Sequence, residues 1–515
     1  DDWSDYTVEV EMRVLDTSLP GELGFRYQNS RCYYALCLAA GQVKFLRRNH
    51  AETVELFARA YEYNCDRFEQ LKVECRGEEF HCYLNGRLVC TVRDTAFPRG
   101  KVALAAETAV QFANLLVYTD AATVRRSRAE RQRRKEELMR LQQEYPQPQL
   151  WKRIDLRDFG AGRSVRFGDL TGNGRYDIVI AQCQKRIYKD AYANISCLTA
   201  LDLDGNVLWQ IGEPNPEHAY ITADLPFQIA DVDLDGANEV IVAKDFQLMI
   251  LDGRTGRVKK AIPTPLAADP DEALYTVPYG HYAFDRLNVD SIRICNFSGR
   301  PQPTDILIKD RYSRLWAFDN ELNLLWKYRG GGNTGHFPFT KDLNGDGREE
   351  MFVGYHLVDA DGRTIWKLPV KTDHTDEIII GRFAPDRDEE LIALVAGHEG
   401  FIIADLAGRI LVKQEIGHAQ RLSAANYRPD LPGFELAVTT FWGYQGIILI
   451  FDCHGRLLHS WEPGTNGNMI TPVNWSGDGR ELMLLNGHPE KGGLVDGWGR
   501  QVVRFPADGH PVRCA

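Results

Sequence analysis

Eight of the thirteen histidines stand where strands of a repeated unit begin or end. His218, His281, His336, His374 and His418 precede short strands, and His356, His398 and His488 close apolar ones. Imidazole titrates near neutrality, so histidines gathered in one place can act as bases, acids or metal ligands. Beside them, at the same positions in the repeat, stand Tyr282, Arg286, Asn333, Lys309, Arg311, Tyr312, Arg421, Trp442 and Tyr444. Arginine and lysine can neutralise a carboxylate, and flat aromatic rings can stack on the C–H faces of a sugar. No HxH or HxxxH pair occurs among these histidines, so a transition metal could be held only by ligands from separate repeats. The expectation is a substrate pocket at one end of the repeats, with His336, His374, His418, Tyr282, Tyr444 and Arg286 as catalytic candidates. The substrate-binding candidates are His281, His398, Trp442, Arg421, Lys309, Arg311, Asn333 and His488.

A second set of chemically suited residues lies in acidic turns. DLTGNGRYD (169 to 177), DVDLDGANE (231 to 239) and DLNGDGREE (342 to 350) offer oxygens at positions 1, 3, 5 and 9 around a sharp turn, as a hard cation requires. The predicted Ca²⁺ ligands are Asp169, Thr171, Asn173 and Asp177; Asp231, Asp233, Asp235 and Glu239; and Asp342, Asn344, Asp346 and Glu350. These loops resemble the FG-GAP type of calcium loop, which implies structural rather than catalytic ions. No organic cofactor is expected. The turns CNFSGRPQPTD, RFAPDRDEE, NYRPDLPGFE and NWSGDGRE lack ligands at key positions and read as metal-free or weak sites.

The elements that must position these residues repeat seven times from about residue 150. Each unit holds a short strand, an acidic turn, an apolar strand and a hairpin before a last strand. The apolar strands are DIVIAQ, EVIVAKD, DILIKDR, EMFVGYH, ELIALVAGH, ELAVTTFW and ELMLLNGH, and the hairpins place an Asp at 202, 252, 319, 361, 405, 452 and 496. Four strands per unit at a period near 50 predict a seven-bladed β-propeller over residues 150–515. Its first strands run into the acidic turns, which sends the histidines to the opposite end. Residues 121–149 read as a helical linker, since 121–145 contain no Gly or Pro and Pro146 follows. Residues 1–120 alternate in strand fashion and predict a β-sandwich. That segment is similar to the laminin-G or concanavalin-like jelly roll. The fold class expected is therefore all-β.

The formal charge of −11 gives no electrostatic reason to approach nucleic acid, and no apolar stretch reaches the length of a membrane span. Eleven cysteines without the spacing of a disulfide module or zinc site favour reduced thiols and a cytoplasmic chain; a secreted one is expected if an export signal has been trimmed.

Calcium loops combined with segments such as HTDEIIIGRFAPDRDEELIALVAGHEG and HAQRLSAANYRPDLPGFELAVTTFWGYQG resemble the propeller polysaccharide lyases. The similarity is above all to rhamnogalacturonan lyase family 11 and more loosely to the ulvan and rhamnose-glucuronate lyases, and it spans residues 150 to 505. This chain departs from the rhamnogalacturonan lyases in having seven blades rather than eight and a sandwich in front. The resemblance implies β-elimination on an acidic oligo- or polysaccharide, a bond 4-linked to a uronic acid being broken. Three jobs follow. Arg286 or Arg421 would neutralise the C6 carboxylate, His336 or His374 would remove the C5 proton, and Tyr282, Tyr444 or His418 would protonate the leaving oxygen. A glycoside hydrolase of rhamnosidase type needs two flanking carboxylates, for which Asp245, Asp310, Asp373, Asp376 and Glu399 are at hand. A non-catalytic glycan-binding protein is the third reading, against which the histidines count.

Overall fold

Alternating apolar residues make ten strands between Tyr6 and Tyr118. The computed structural model describes residues 3–161, 164–185, 193–218, 225–266, 284–311, 314–328, 333–371, 374–442, 446–463, 470–485 and 492–506. In it these ten strands form two antiparallel five-stranded sheets. One runs in the order Val110–Tyr118, Tyr6–Val14, Glu69–Arg76, Glu79–Leu84, Arg87–Arg93; the other in the order Glu52–Ala60, Gln42–Asn49, Cys32–Ala39, Gly21–Asn29, Lys101–Ala106. Both contribute to one core that includes Val8, Met12, Phe25, Tyr34, Phe45, Val73 and Phe80. The edge strand Glu52–Ala60 was not expected from the sequence, because its burial alternates only weakly and its residues are mostly exposed or half-buried. The ten described cysteines are all free, nine of them buried.

The α-helix Ala121–Glu144 is capped by Asp120, whose Oδ1 accepts the Thr123 amide at 2.8 Å. Its end docks on the last sheet: Leu141 and Tyr145 pack against the cluster of Leu482, Leu494, Val502 and Val503, and Gln142 Nε2 donates to Gln501 O at 2.9 Å. Among the described residues no helix is long and apolar enough to cross a membrane.

Beyond the helix the described residues form seven four-stranded antiparallel sheets, each built from four consecutive strands. Their first strands are Val165–Gly168, Phe227–Ala230, Ser291–Cys295, Phe339–Lys341, Glu377–Gly381, Ala419–Ala425 and Ile470–Val473. The chain is thus all-β with a single α-helix among the described residues.

Three junctions between successive sheets are fastened by a tryptophan on the fourth strand of one sheet and a hairpin of the next. Trp209 Nε1 donates to Gly253 O at 2.7 Å, Trp326 Nε1 to Ala360 O at 2.9 Å, and Trp366 Nε1 to Leu406 O at 2.9 Å. The indoles press on Gly256, Gly362 and Gly408, where a Cβ would come within 2.9 Å of the ring and φ is positive. Only glycine meets both demands. The hairpin aspartates accept the amides of the turn, and one of the predicted positions is corrected. In the fourth sheet it is Asp359, not Asp361, that does so, taking Asp361 N at 3.0 Å and Arg363 N at 2.8 Å, because the third strand His356–Val358 ends two residues earlier than the sequence pattern implied.

The N-terminal sheets rest on the outer strand of the sixth sheet and on the end of the fifth. Tyr27 Oη donates to Glu462 at 2.9 Å, Ser30 N to Glu462 Oε1 at 2.8 Å, and Ala51 N to Glu415 O at 3.2 Å.

Candidate active site

Three histidines from the starts of the fourth, fifth and sixth sheets meet on one carboxylate, Asp376. Its oxygens lie 3.6 Å from His336 Nε2, 3.3 Å from His374 Nε2 and 3.6 Å from His418 Nε2. The backbone sets this meeting. Asp376 N donates to Val395 O and His336 N donates to Thr375 O, both at 2.9 Å, which clamps the segment before the fourth sheet onto the start of the fifth. Gly335, at φ +65, makes the approach possible, since a Cβ there would lie 2.1 Å from Thr375 Oγ1 and 2.6 Å from its carbonyl oxygen. A bulge between Ala419 and Arg421 turns Gln420 so that its Nε2 donates to Asp376 Oδ1. His398 completes the group, its ring centroid 4.7 Å from that of His418.

The cluster is buried except at one edge. Asp376 is 1% and His418 2% exposed, while the His374 side chain keeps 16%. Burial opposes a charged Asp376, but the imidazoles of His374, His418 and His336 outweigh it and hold the carboxyl far below its usual range. Burial lowers the His336 pKa well below its ordinary value; Arg311 adds to this and Asp376 only partly offsets it, so His336 is neutral at pH 7. Among the described residues, both ring nitrogens of His418 are buried without a hydrogen-bond partner, as are Thr334 Oγ1, Thr375 Oγ1 and Gln420 Oε1.

These donors also fit a divalent cation. The ligand atoms of His336, His374 and Asp376 lie within 4.8 Å of one another. The three N···O separations of 3.3–3.6 Å are longer than charge-assisted hydrogen bonds and resemble the ligand-to-ligand edge of about 3.3 Å in a tetrahedral site with bonds near 2.0 Å.

Of the remaining sequence candidates, Arg311 and Lys309 lie close enough to His336 to depress its pKa. Arg311 Nη1 is 3.5 Å from Asp290, and the buried Lys309 ammonium donates to the carbonyls of Asp310 and Arg311. Asn333 accepts Gly335 N at 2.8 Å and so shapes the turn before His336. Arg421 stands over Phe337, 5.4 Å from the ring centre. Arg286 is placed elsewhere, bridged to Leu266 with Nη1 donating to Thr264 O. Trp442 is 55% exposed. Tyr282, Tyr444, His281, His488 and Tyr312 lie outside the described residues. Asp376 entered the sequence reading only as one of several carboxylates; its signal was the His-Thr-Asp spacing, which sets His374 and Asp376 on the same side of an extended chain.

The acidic turns sit at the other end of the sheets. Asp169 accepts the amides of Gly172, Asn173 and Gly174 at 2.7–3.1 Å, and Asp342 accepts those of Gly345 and Gly347. Asp177, Glu239 and Glu350 each accept an amide from the start of their own turn, which folds the chain around the cluster. Thr171 Oγ1 donates to Asp177, and Asn344 Nδ2 to Glu350. Asn173, Asp235 and Asp346 accept the amides of Arg175, Ala237 and Arg348. Asp231, Asp233 and Glu239 are grouped closely enough to hold a metal ion. The ammonium of Lys259 reaches into this second loop, 2.8 Å from Glu239 Oε1 and also on Asp233.

Fold and site together define an all-β repeat protein with an imidazole and carboxylate cluster at one end of its sheets. Residues 307–501 match the family model of the rhamnogalacturonan lyase family 11 C-terminal domain, a segment that contains every residue of the cluster. The resemblance drawn from the sequence is thus shown for this segment. The chain is 24% identical over 262 residues to the rhamnogalacturonan exolyase YesX of Bacillus subtilis, covering 43% of this chain and 42% of that protein. It is 24% identical over 327 residues to the rhamnogalacturonan endolyase YesW of the same organism, covering 52% and 50%. It therefore spans about half the length of the curated relatives it matches. Among solved structures, a rhamnogalacturonan lyase of Bacillus licheniformis aligns with a TM-score of 0.49 at 15% identity, over 95% of this chain and 86% of that one.

Proposed function

We propose that this chain is a polysaccharide lyase that cleaves a uronate-containing glycan of the rhamnogalacturonan type by β-elimination at the histidine end of its sheets. The observation that carries the proposal is that the segment matching the lyase family holds the whole cluster of His336, His374, Asp376, His398 and His418. The seven sheets close in this reading as a seven-bladed propeller over residues 150–515. In its support, one cavity is bordered by residues from the first strands, or the approaches to them, of the first six sheets. Residues 1–120 are a separate sandwich in this reading, with 121–149 as its linker.

His374 is the imidazole of the three that keeps most solvent contact, and Asp376 at 3.3 Å orients it, as a general base requires. His336 and His418 buttress the same carboxylate. Arg421 and Arg311 are the cations proposed for the uronate C6 carboxylate, which must be neutralised before the C5 proton becomes acidic. Tyr282 and Tyr444 are proposed as donors to the leaving oxygen. A second reading of the cluster is favoured by its donor spacing: His336, His374 and Asp376 would hold a divalent cation, which would supply the positive charge facing the carboxylate. Ca²⁺ in the loops at 169–177, 231–239 and 342–350 is proposed as structural.

The test is the ultraviolet absorbance of an unsaturated uronate released from rhamnogalacturonan by the full chain. Loss of that product in His374→Ala supports the proposal, and full activity in His374→Ala and His336→Ala would sink it. Metal analysis of the active protein separates the two uses of the cluster.

A further inference from the structure

A cavity of about 250 Å³ lies beside the histidine cluster and is lined by Arg166, Gln228, Arg293, Phe337, Glu377 and Arg421, among others. The sequence places these side chains together by strand register. Arg166 and Arg293 each stand three residues before the first residue of their turns, Asp169 and Asn296, and Glu377 and Arg421 each stand five before theirs, Arg382 and Asn426. Both are odd offsets, so all four share one face of their strands.

Three guanidiniums in one cavity repel one another, and their surroundings do little to offset this. Arg166 Nε donates to Gln228 Oε1 at 3.3 Å and Nη1 to Val165 O at 3.1 Å. Arg293 and Arg421 share the ring of Phe337, at 5.9 and 5.4 Å from its centre, and the Nε of each is buried without a hydrogen-bond partner. Among the described residues none of the three makes an ion pair. Glu377 is near, but its Oε2 accepts Leu422 N at 2.9 Å, and burial raises its pKa despite Arg421. The strain shows at Arg166, whose pKa is pushed down to about 10 by burial and by Arg293. Buried guanidinium donors are ordinarily met by a carboxylate or phosphate, which they bind in a planar fork.

We propose that this cavity is an oxyanion site in which Arg166, Arg293 and Arg421 bind either the carboxylate of an acidic sugar or a free oxyanion. It is smaller than the roughly 300–1,000 Å³ of clefts for drug-sized ligands, so its occupant is one small anion or one sugar unit. Arg421 is also a cation proposed above for the C6 carboxylate, so the sugar-carboxylate form of this inference rests on that reading, whereas anion binding by Arg166 and Arg293 does not depend on the reaction carried out at the histidines.

The test is isothermal calorimetry on the full chain with galacturonate, inorganic phosphate and neutral galactose, for wild type and for the double variant Arg166→Gln/Arg293→Gln. The expected result is that galacturonate binds, galactose does not, and the double variant weakens the anion at least about tenfold. Phosphate binding with the same loss identifies a general oxyanion site, and galacturonate binding without phosphate identifies a sugar carboxylate site. If neither anion binds better than galactose, or the double variant binds as wild type does, the proposal is overturned. Should the double variant fail to fold, Arg166→Lys and Arg293→Lys, which keep the charge but lose the fork, are each expected to weaken the anion, and wild-type affinity in both overturns the proposal.

Discussion

At the turn end of the repeated sheets most carboxylates are met by their own loops: Asp169 alone accepts three backbone amides, and Asp177, Glu239, Asp305, Glu350 and Glu435 each accept an amide at the start of their own turn, with Asp231 Oδ1 and Glu435 Oε1 the buried exceptions. At the histidine end buried polar atoms are under-satisfied, with the ring nitrogens of His418 and the hydroxyls of Thr334 and Thr375 making no hydrogen bond among the described residues, and Asp376 Oδ2 met only by imidazoles at 3.3 and 3.6 Å. A buried polar group without a partner costs stability, so a cluster of them is retained where something outside the chain completes it. One end of the molecule is built to hold itself, the other to receive.

The contrast can be broken at its strongest point. Asp376→Asn removes the charge on which three imidazoles converge, and turnover is expected to fall about 10³-fold, read from the unsaturated product. Unchanged turnover would mean that the cluster is not the reaction centre. Gly335→Ala is next: its Cβ collides with Thr375 in a conformation that favours glycine, so a loss of about 2–4 kcal/mol in urea unfolding, with weakened activity, is expected.

At the turn end Glu435 tests how well the loop satisfies its carboxylate. Its Oε2 accepts Arg428 N, but Oε1 is buried without a partner, and burial raises the pKa to about 7. Because the folded pKa lies above the unfolded one, the favourable neutral form is fully present below about pH 4.5 and is lost as pH rises through 7. Glu435→Gln is therefore expected to match wild type near pH 4.5 and to be about 1–3 kcal/mol more stable at pH 8, by thermal or urea unfolding. An equal gain at both pH values would refute the assignment. The smallest effect concerns Lys259, whose ammonium sits on Asp233 and Glu239 in the second loop, where it would compete with a cation. With the other loops disabled by Asp169→Ala and Asp342→Ala, Lys259→Met is expected to tighten Ca²⁺ about tenfold by calorimetry, and unchanged affinity would show that the ammonium does not compete.

Much of this contrast was legible in the sequence. Apolar runs such as EVIVAK and DILIK, each following an acidic turn, gave the four-strand repeat and its direction, and that direction sent His336, His374 and His418 to one end. What stayed hidden depends on contacts between segments about 40 residues apart. Asp376 is the hub only because Gly335 lets one segment lie on Thr375 and a bulge at Gln420 turns an amide inward. Arg166 and Arg293 read as ordinary strand residues until six sheets set their first strands around one cavity. Glu52–Ala60 escaped notice because an edge strand buries little and keeps weak alternation.

The tryptophan latches carry a consequence for the history of such chains. Each indole is supplied by one repeat and received by a glycine hairpin of the following repeat, as Trp326 is by Gly362 and Trp366 by Gly408. The fourth repeat is both receiver and donor, so deleting it would join Trp326 to Gly408, and duplicating it would join Trp366 to a second Gly362, without redesigning either. At such a junction copy number is a variable that unequal recombination can change in a single step, leaving local sheet packing intact.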